Sequence, residues 1–157
     1  MIDHVWSVLC QRATIDKDSN LISLLNSIEQ LEVQAEIVEL TASGPVPVVG
    51  ERASIPISVV PIEAEVVSLW ARRDVHQSAH GLGRLMWEDP AGKQTALGNG
   101  FDIDLTQFER LRTRVRLNGL PVSGWGRYYM VVEYRESEGD VAWRAAARLP
   151  LTIVLKS

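Results

Sequence analysis

The chain has 157 residues, 46% of them hydrophobic and 23% charged, with a formal net charge of −4. That length fits one domain over 1–157 with a core of ordinary size, and the composition excludes general disorder. A mildly negative balance gives no electrostatic reason to expect a nucleic-acid binder.

The opening residues lack the basic and apolar regions of a secretory signal. No run of about 18 apolar residues follows anywhere, so no membrane span is expected. Residues 4–12 read as a strand. Val5, Trp6, Val8, Leu9 and Cys10 put apolar groups on both faces, as in a central strand covered on both sides. Cys10 is the sole cysteine, so no internal disulfide holds the fold, and a cytoplasmic address is expected. Asp16 to Asn20 is turn chemistry, and a second strand is expected over 21–30. Residues 29–40 are rich in helix formers. Their Val33, Ala35 and Ile37 nevertheless alternate with Glu32, Gln34 and Glu36, which predicts a strand. Gly44, Pro45, Pro47, Gly50 and Pro56 make 41–56 the longest irregular stretch and the best candidate for a mobile or functional loop.

Two further strands are expected over 59–73 and 83–88, with Pro61 marking loop or edge at the start of the first. A turn at 89–92 leads to a strand over 95–105. Thr106 and Glu109 have the spacing of a capping box, which predicts a single helical turn there. From 110 to 118, Leu111, Thr113, Val115 and Leu117 alternate with Arg110, Arg112, Arg114 and Arg116. A helix would scatter those arginines; a strand sets all four in a row. Gly and Pro make 119–126 a turn, so a hairpin is expected with the strand over 126–136. In that strand Tyr128, Met130, Val132 and Tyr134 share one face, and Arg127, Tyr129, Val131 and Glu133 the other. After a turn over 136–140, Trp143, Ala145, Ala147, Leu149, Leu151, Ile153 and Leu155 share a face. Pro150 predicts a bend, a bulge or an edge. About eight short strands with turns between them indicate an all-β fold. An antiparallel β-sandwich with one or two short helical turns fits best.

Ile2 to Cys10, Ile15-Asp16, Ser23-Leu24, Ile28 to Leu31 and Leu69 to Arg72 carry a resemblance. Together they resemble a family of small bacterial proteins of about this length, known only as a domain of unknown function. The resemblance implies an all-β bacterial cytoplasmic protein. It implies no activity and brings no functional residues.

The arginine row is the sharpest local feature. Alternate strand positions lie roughly 6.6–6.8 Å apart, a spacing that suits a polyanion such as single-stranded nucleic acid. Tyr129, on a neighbouring strand, would add a stacking surface. The plainer reading is a solvated sheet face whose arginines pair with carboxylates such as Glu133, Asp102 or Asp104. His76 and His80 have the i, i+4 spacing of metal ligands on a helix. They lie between two strands without a third ligand nearby, so a polar loop is the simpler account. Cys10 in an apolar strand reads as an inert small hydrophobe rather than a nucleophile. Of the five tryptophans, Trp6, Trp70, Trp87 and Trp143 read as core or sheet-face fillers. Trp125 sits between glycines in a loop and reads as an exposed contact residue.

No catalytic motif, cofactor site or phosphate loop is recognisable. The expected function is a non-enzymatic β-sandwich module that binds another protein or itself. An anion or single-stranded nucleic-acid binder using Arg110, Arg112, Arg114 and Arg116 is the first rival, and an enzyme using His76 and His80 the second.

Overall fold

The two-residue rhythm builds two layers. In a computed structural model, residues 1–34, 58–137 and 142–156 are described. The expected loop over 41–56 and the second half of the expected strand over 29–40 lie outside them. Nine strands form among the described residues and no helix does. They are β1 (Ile2–Ile15), β2 (Ile22–Ser27), β3 (Gln30–Gln34), β4 (Ser58–Arg72), β5 (His80–Glu88), β6 (Gln94–Asp104), β7 (Arg110–Val122), β8 (Gly126–Glu136) and β9 (Arg144–Lys156). The first sheet has the order β2-β1-β4-β7 and the second β3-β9-β8-β5-β6. No helix among the described residues is long and apolar enough to cross a membrane.

The expected hairpin between β7 and β8 does not form, because the two strands lie in different sheets. The reason is that β7 does not stop at Asn118. Its inward face changes phase after Leu117, where the β4 pairing shifts register between Val60 and Glu63, and goes on through buried Leu120 and Val122, with Val59 opposite Pro121 and Ser58 opposite Val122. Pro121 is tolerated because β7 is the last strand of its sheet among the described residues, so a missing N–H breaks no second ladder there. The chain then crosses between layers at 123–125. β3 is the other departure from a plain antiparallel plan. The chain leaves β2 at Ser27 and enters the second sheet parallel to β9, with Gln30 opposite Thr152.

Two local expectations also change. The capping-box turn at 106–109 is not helical. The Asp104 carboxylate accepts both the Thr106 N–H (2.9 Å) and its hydroxyl (2.6 Å), which turns the chain differently. Trp143 does not share the inward face of β9. The register shifts so that Glu133 opposes Ala145 but Val132 opposes Ala147, and the bulge sends Trp143 outward. Among the described residues, Pro150 stands where β9 has only β8 beside it, since β3 joins at Thr152.

The core lies between the layers. Trp70, Tyr128, Leu85, Ile103, Leu120, Met130, Leu151 and Ile153 are all essentially sealed from solvent. Gly83 is part of this fit. It faces Ile103's neighbour Phe101 across β5 and β6, and a Cβ placed on it would overlap the Phe101 ring. Gly83→Val is expected to cost about 1–3 kcal/mol by overpacking. That corresponds to a Tm lower by roughly 2–12 °C. Calorimetry on this variant, with and without Phe101→Leu, checks the mechanism: the smaller side chain restores part of the loss.

A second, separate cluster lies on the outer face of the first sheet. Cys10, Ala13 and Val67 are buried there, with Trp6, Val8, Ile22 and Leu24 against them. This explains the two-sided apolar pattern of β1: its inner face meets the main core and its outer face meets this cluster.

Candidate functional site

The row Arg110, Arg112, Arg114 and Arg116 lies on the outer face of the first sheet, opposite Ala71, Leu69, Val67 and Glu65 of β4. Glu65 is the centre of the arrangement. It is only 6% exposed, although it points away from the core. Arg114 donates from Nη2 to both of its carboxylate oxygens (3.1 and 2.9 Å) and from Nε to Oε2 (3.2 Å). Arg116 donates from Nε to Oε1 at 3.1 Å. Burial alone would push the Glu65 carboxyl up; the Arg114 hydrogen bonds and charge, with Ala13 N–H and Arg116, outweigh it and hold the group below the ordinary glutamate range.

The tip of the β1–β2 hairpin closes over the middle of the row. β1 pairs with β4 only as far as Cys10 opposite Glu65. Beyond that point Ala13 N–H donates to Glu65 Oε2 (3.2 Å), and Arg114 Nη2 donates to the Ala13 carbonyl (2.7 Å). Arg112 Nη1 donates to Asn20 Oδ1 at 3.0 Å. The tip itself is braced by Asp16, which accepts from the Ser19 N–H and hydroxyl (2.7 and 2.6 Å). The Arg116 side chain at one end of the row is 75% exposed against 28% for Arg114, and Arg110 is exposed at the other end. A cleft of about 710 Å³ lies beside Arg116, lined by Gln11, Arg12, Glu63 and Asn118 among others. Cys10 is buried under the hairpin, and burial raises its thiol pKa, so the inert reading of this thiol has a physical basis.

Two of the four arginines, Arg114 and Arg116, therefore pair with a carboxylate, but not with one of those expected. Glu133 pairs with Arg84 (2.7 Å) and Asp104 holds Thr106. Both belong to the second sheet, as does Asp102, because β7 is not beside β8. Tyr129 is separated from the row for the same reason. It faces outward on the opposite layer, beneath the guanidinium of Arg148 (3.2 Å to the ring centroid), which also pairs with Glu88 (2.6 Å). Trp143 lies on that layer between Arg84 and Arg135 (4.2 and 4.8 Å).

His80 begins β5 and shares a hydrogen bond with Ser137 (Nδ1 to Oγ, 2.6 Å). His76 lies in the preceding turn, where its N–H donates to Asp74 Oδ1 (2.9 Å). Among the described residues no three His, Cys, Asp or Glu side chains gather as a metal-binding group.

Trp125 is 66% exposed, at the crossing from β7 to β8. Its turn is gripped from inside. The Tyr128 hydroxyl donates to the Gly124 carbonyl (2.6 Å) and accepts from Ser123 N–H (3.0 Å). Tyr128 is buried and stacks on Trp87, with centroids 5.0 Å apart and planes at 17°. Trp87 Nε1 in turn donates to the Pro121 carbonyl (2.6 Å). Gly124 and Gly126 adopt φ of 152° and 138°, extended conformations closed to most side chains, so both glycines flanking Trp125 are required by the turn.

No motif announces Glu65 or the grip of Tyr128. A signal for Glu65 was available: it is a charge set between Ala64 and Val66 in an apolar strand, a position that demands a partner. Also missed was a short polar chain at the edge of the first sheet, running from His4 through Ser7 to Ser68. No family model matches the chain, and no curated protein is similar to it.

Proposed function

We propose that the protein is a β-sandwich interaction module that binds another protein through the end of the sandwich that carries Trp125. The observation behind this reading is a large apolar side chain held in solvent by buried neighbours. Three hydrogen bonds with Tyr128 and Trp87 hold the backbone of Pro121, Ser123 and Gly124 leading into the turn. A contact residue that is already ordered loses little entropy on binding, and tryptophan is enriched among residues that dominate interface energy. The arginine row supports the rival anion reading less. Glu65 neutralises part of its charge, and the β1–β2 hairpin covers its middle. We place the module in the bacterial cytoplasm, the address implied by the lone cysteine and the family resemblance.

Trp125→Ser tests the reading. Its own stability effect is expected within about 0.5 kcal/mol, as for an exposed site. Association is expected to weaken at least roughly 30-fold, the effect of a hot-spot residue. Sedimentation of the purified protein reads self-association, and pull-down with wild-type and Trp125→Ser baits reads a second protein. Equal recovery by both baits, with equal sedimentation, refutes the proposal.

A further inference from the structure

We propose that Ser7 is an activated nucleophile, with His4 as its general base, that accepts the acyl group of short-chain carboxylic esters. This goes beyond the interaction reading and does not depend on it.

A break in the strand rhythm builds the pair. His4 and Ser7 are three residues apart, so a regular strand would point them to opposite faces. A bulge between His4 and Trp6 inserts one residue and puts both on the inner face. His4 Nε2 then lies 2.7 Å from Ser7 Oγ, and Ser7 Oγ lies 2.6 Å from Ser68 Oγ on β4. The His4 ring stands edge-on against Trp70, with centroids 5.1 Å apart, which fixes its orientation. Nucleophile, base and a group that orients the base are thus within reach of one another.

The backbone supplies a further part. Below Cys10, β1 has β4 on one side only among the described residues, because β2 leaves for β3 after Ile28 N–H bonds the Leu9 carbonyl (2.9 Å). The Leu9 carbonyl therefore points away from β4. Alternate residues of a strand direct their N–H and C=O the same way, so the Ser7 N–H also points away from β4. A cleft of about 580 Å³ opens on that flank between the two layers, lined by Ser7, Leu9, Ile28, Arg127 and Leu149 among others. Leu9, Ile28 and Leu149 suit a short alkyl chain. The Ser7 N–H suits the oxyanion of a tetrahedral intermediate.

The reaction runs as follows. Ser7 Oγ attacks the ester carbonyl carbon while its proton passes to His4 Nε2. The intermediate collapses, the bond to the alcohol oxygen breaks, and His4 returns the proton to that leaving group. Water, deprotonated by His4, attacks the acyl-serine in the same manner and releases the carboxylic acid and free Ser7. Burial lowers the His4 pKa, opposed in part by a hydrogen bond to the Trp6 backbone, so the ring is neutral and basic at neutral pH.

A fluorophosphonate probe on the full chain, read by peptide mass mapping, tests this. In the native protein Ser7 is expected to take the probe. In concentrated urea the labelling is expected to vanish, because an unfolded serine has no base. Ser7→Ala abolishes labelling, and His4→Gln slows it roughly 100-fold. The wild-type rate is expected to stay level through the ordinary histidine midpoint of 6.5 and fall only at lower pH. Native Ser7 that takes no probe overturns the proposal, whatever the variants do. Labelling that is equal in urea, or unchanged by His4→Gln, does the same. Trp125→Ser is expected to leave labelling unchanged, which separates this site from the interaction surface.

Discussion

Glu65→Ala is expected to lower the unfolding free energy by about 3–5 kcal/mol, the cost of stranding one partner of a buried ion pair. In Tm this is a fall of roughly 6–20 °C. The loss has three parts. Arg114, its side chain 28% exposed, keeps its charge but loses three hydrogen bonds. The Ala13 N–H loses its acceptor, which releases the hairpin tip from β4. Arg116 contributes little, because its side chain is 75% exposed and water replaces the carboxylate. The double variant Glu65→Met with Arg114→Met is expected to recover most of the loss, since two apolar side chains there extend the cluster of Cys10, Ala13 and Val67.

The same pair gives a pH dependence with a definite sign. The folded Glu65 pKa lies below its unfolded value, so the folded state holds the ionised form more tightly. Its stabilisation is complete above the ordinary glutamate midpoint of 4.5 and fades as pH falls through the folded value. Urea titrations of wild type and Glu65→Gln should therefore differ by a constant amount from about pH 8 to 5 and converge below about pH 4.5. A gap that widens in acid, or no gap at neutral pH, would show that Glu65 is not held as an ion.

How far the residues foretold this arrangement depends on the range of the contact. The strand over β8 was legible because Tyr128, Met130, Val132 and Tyr134 share one face while Arg127, Tyr129 and Glu133 fall on the other, and that pattern is local. The β1–β2 hairpin was legible because Asp16 to Asn20 is turn chemistry. The partner of β7 was not. Alternation says that a segment is a strand and which face is apolar, but nothing about which sheet receives it. The glycine and proline over 119–126 suggested a break, yet an edge strand accepts both. The face of Trp143 was hidden by Ala145, Ala146 and Ala147, whose small side chains tolerate either face and so do not reveal a bulge. For the candidate sites, the exposure of Trp125 was legible from its flanking glycines. The His4 and Ser7 pair was not, because its geometry depends on a bulge that no residue type announces.

Trp70→Ala is expected to cost about 3–5 kcal/mol, the range for truncating a large buried aromatic, with a Tm lower by roughly 6–20 °C. Trp70 is fully buried and joins both layers. Its ring meets Phe101 and Tyr134 of the second sheet at centroid distances of 6.4 and 5.5 Å, and His4 of its own sheet at 5.1 Å. Its Nε1 donates to Thr113 Oγ1 at 2.9 Å, which ties β4 to β7. Trp70→Phe keeps an aromatic filler and gives up the hydrogen bond and part of the volume. Its cost is expected near about 1–2 kcal/mol, the lost bond plus a small cavity. Paired urea titrations separate the two contributions: the difference between the variants measures packing, and the loss in Trp70→Phe is shared with Thr113→Val. A non-additive double variant of Trp70→Phe and Thr113→Val is then the expected result, because both changes remove one bond. Full additivity would mean that the bond contributes nothing and that packing alone joins the layers at this point.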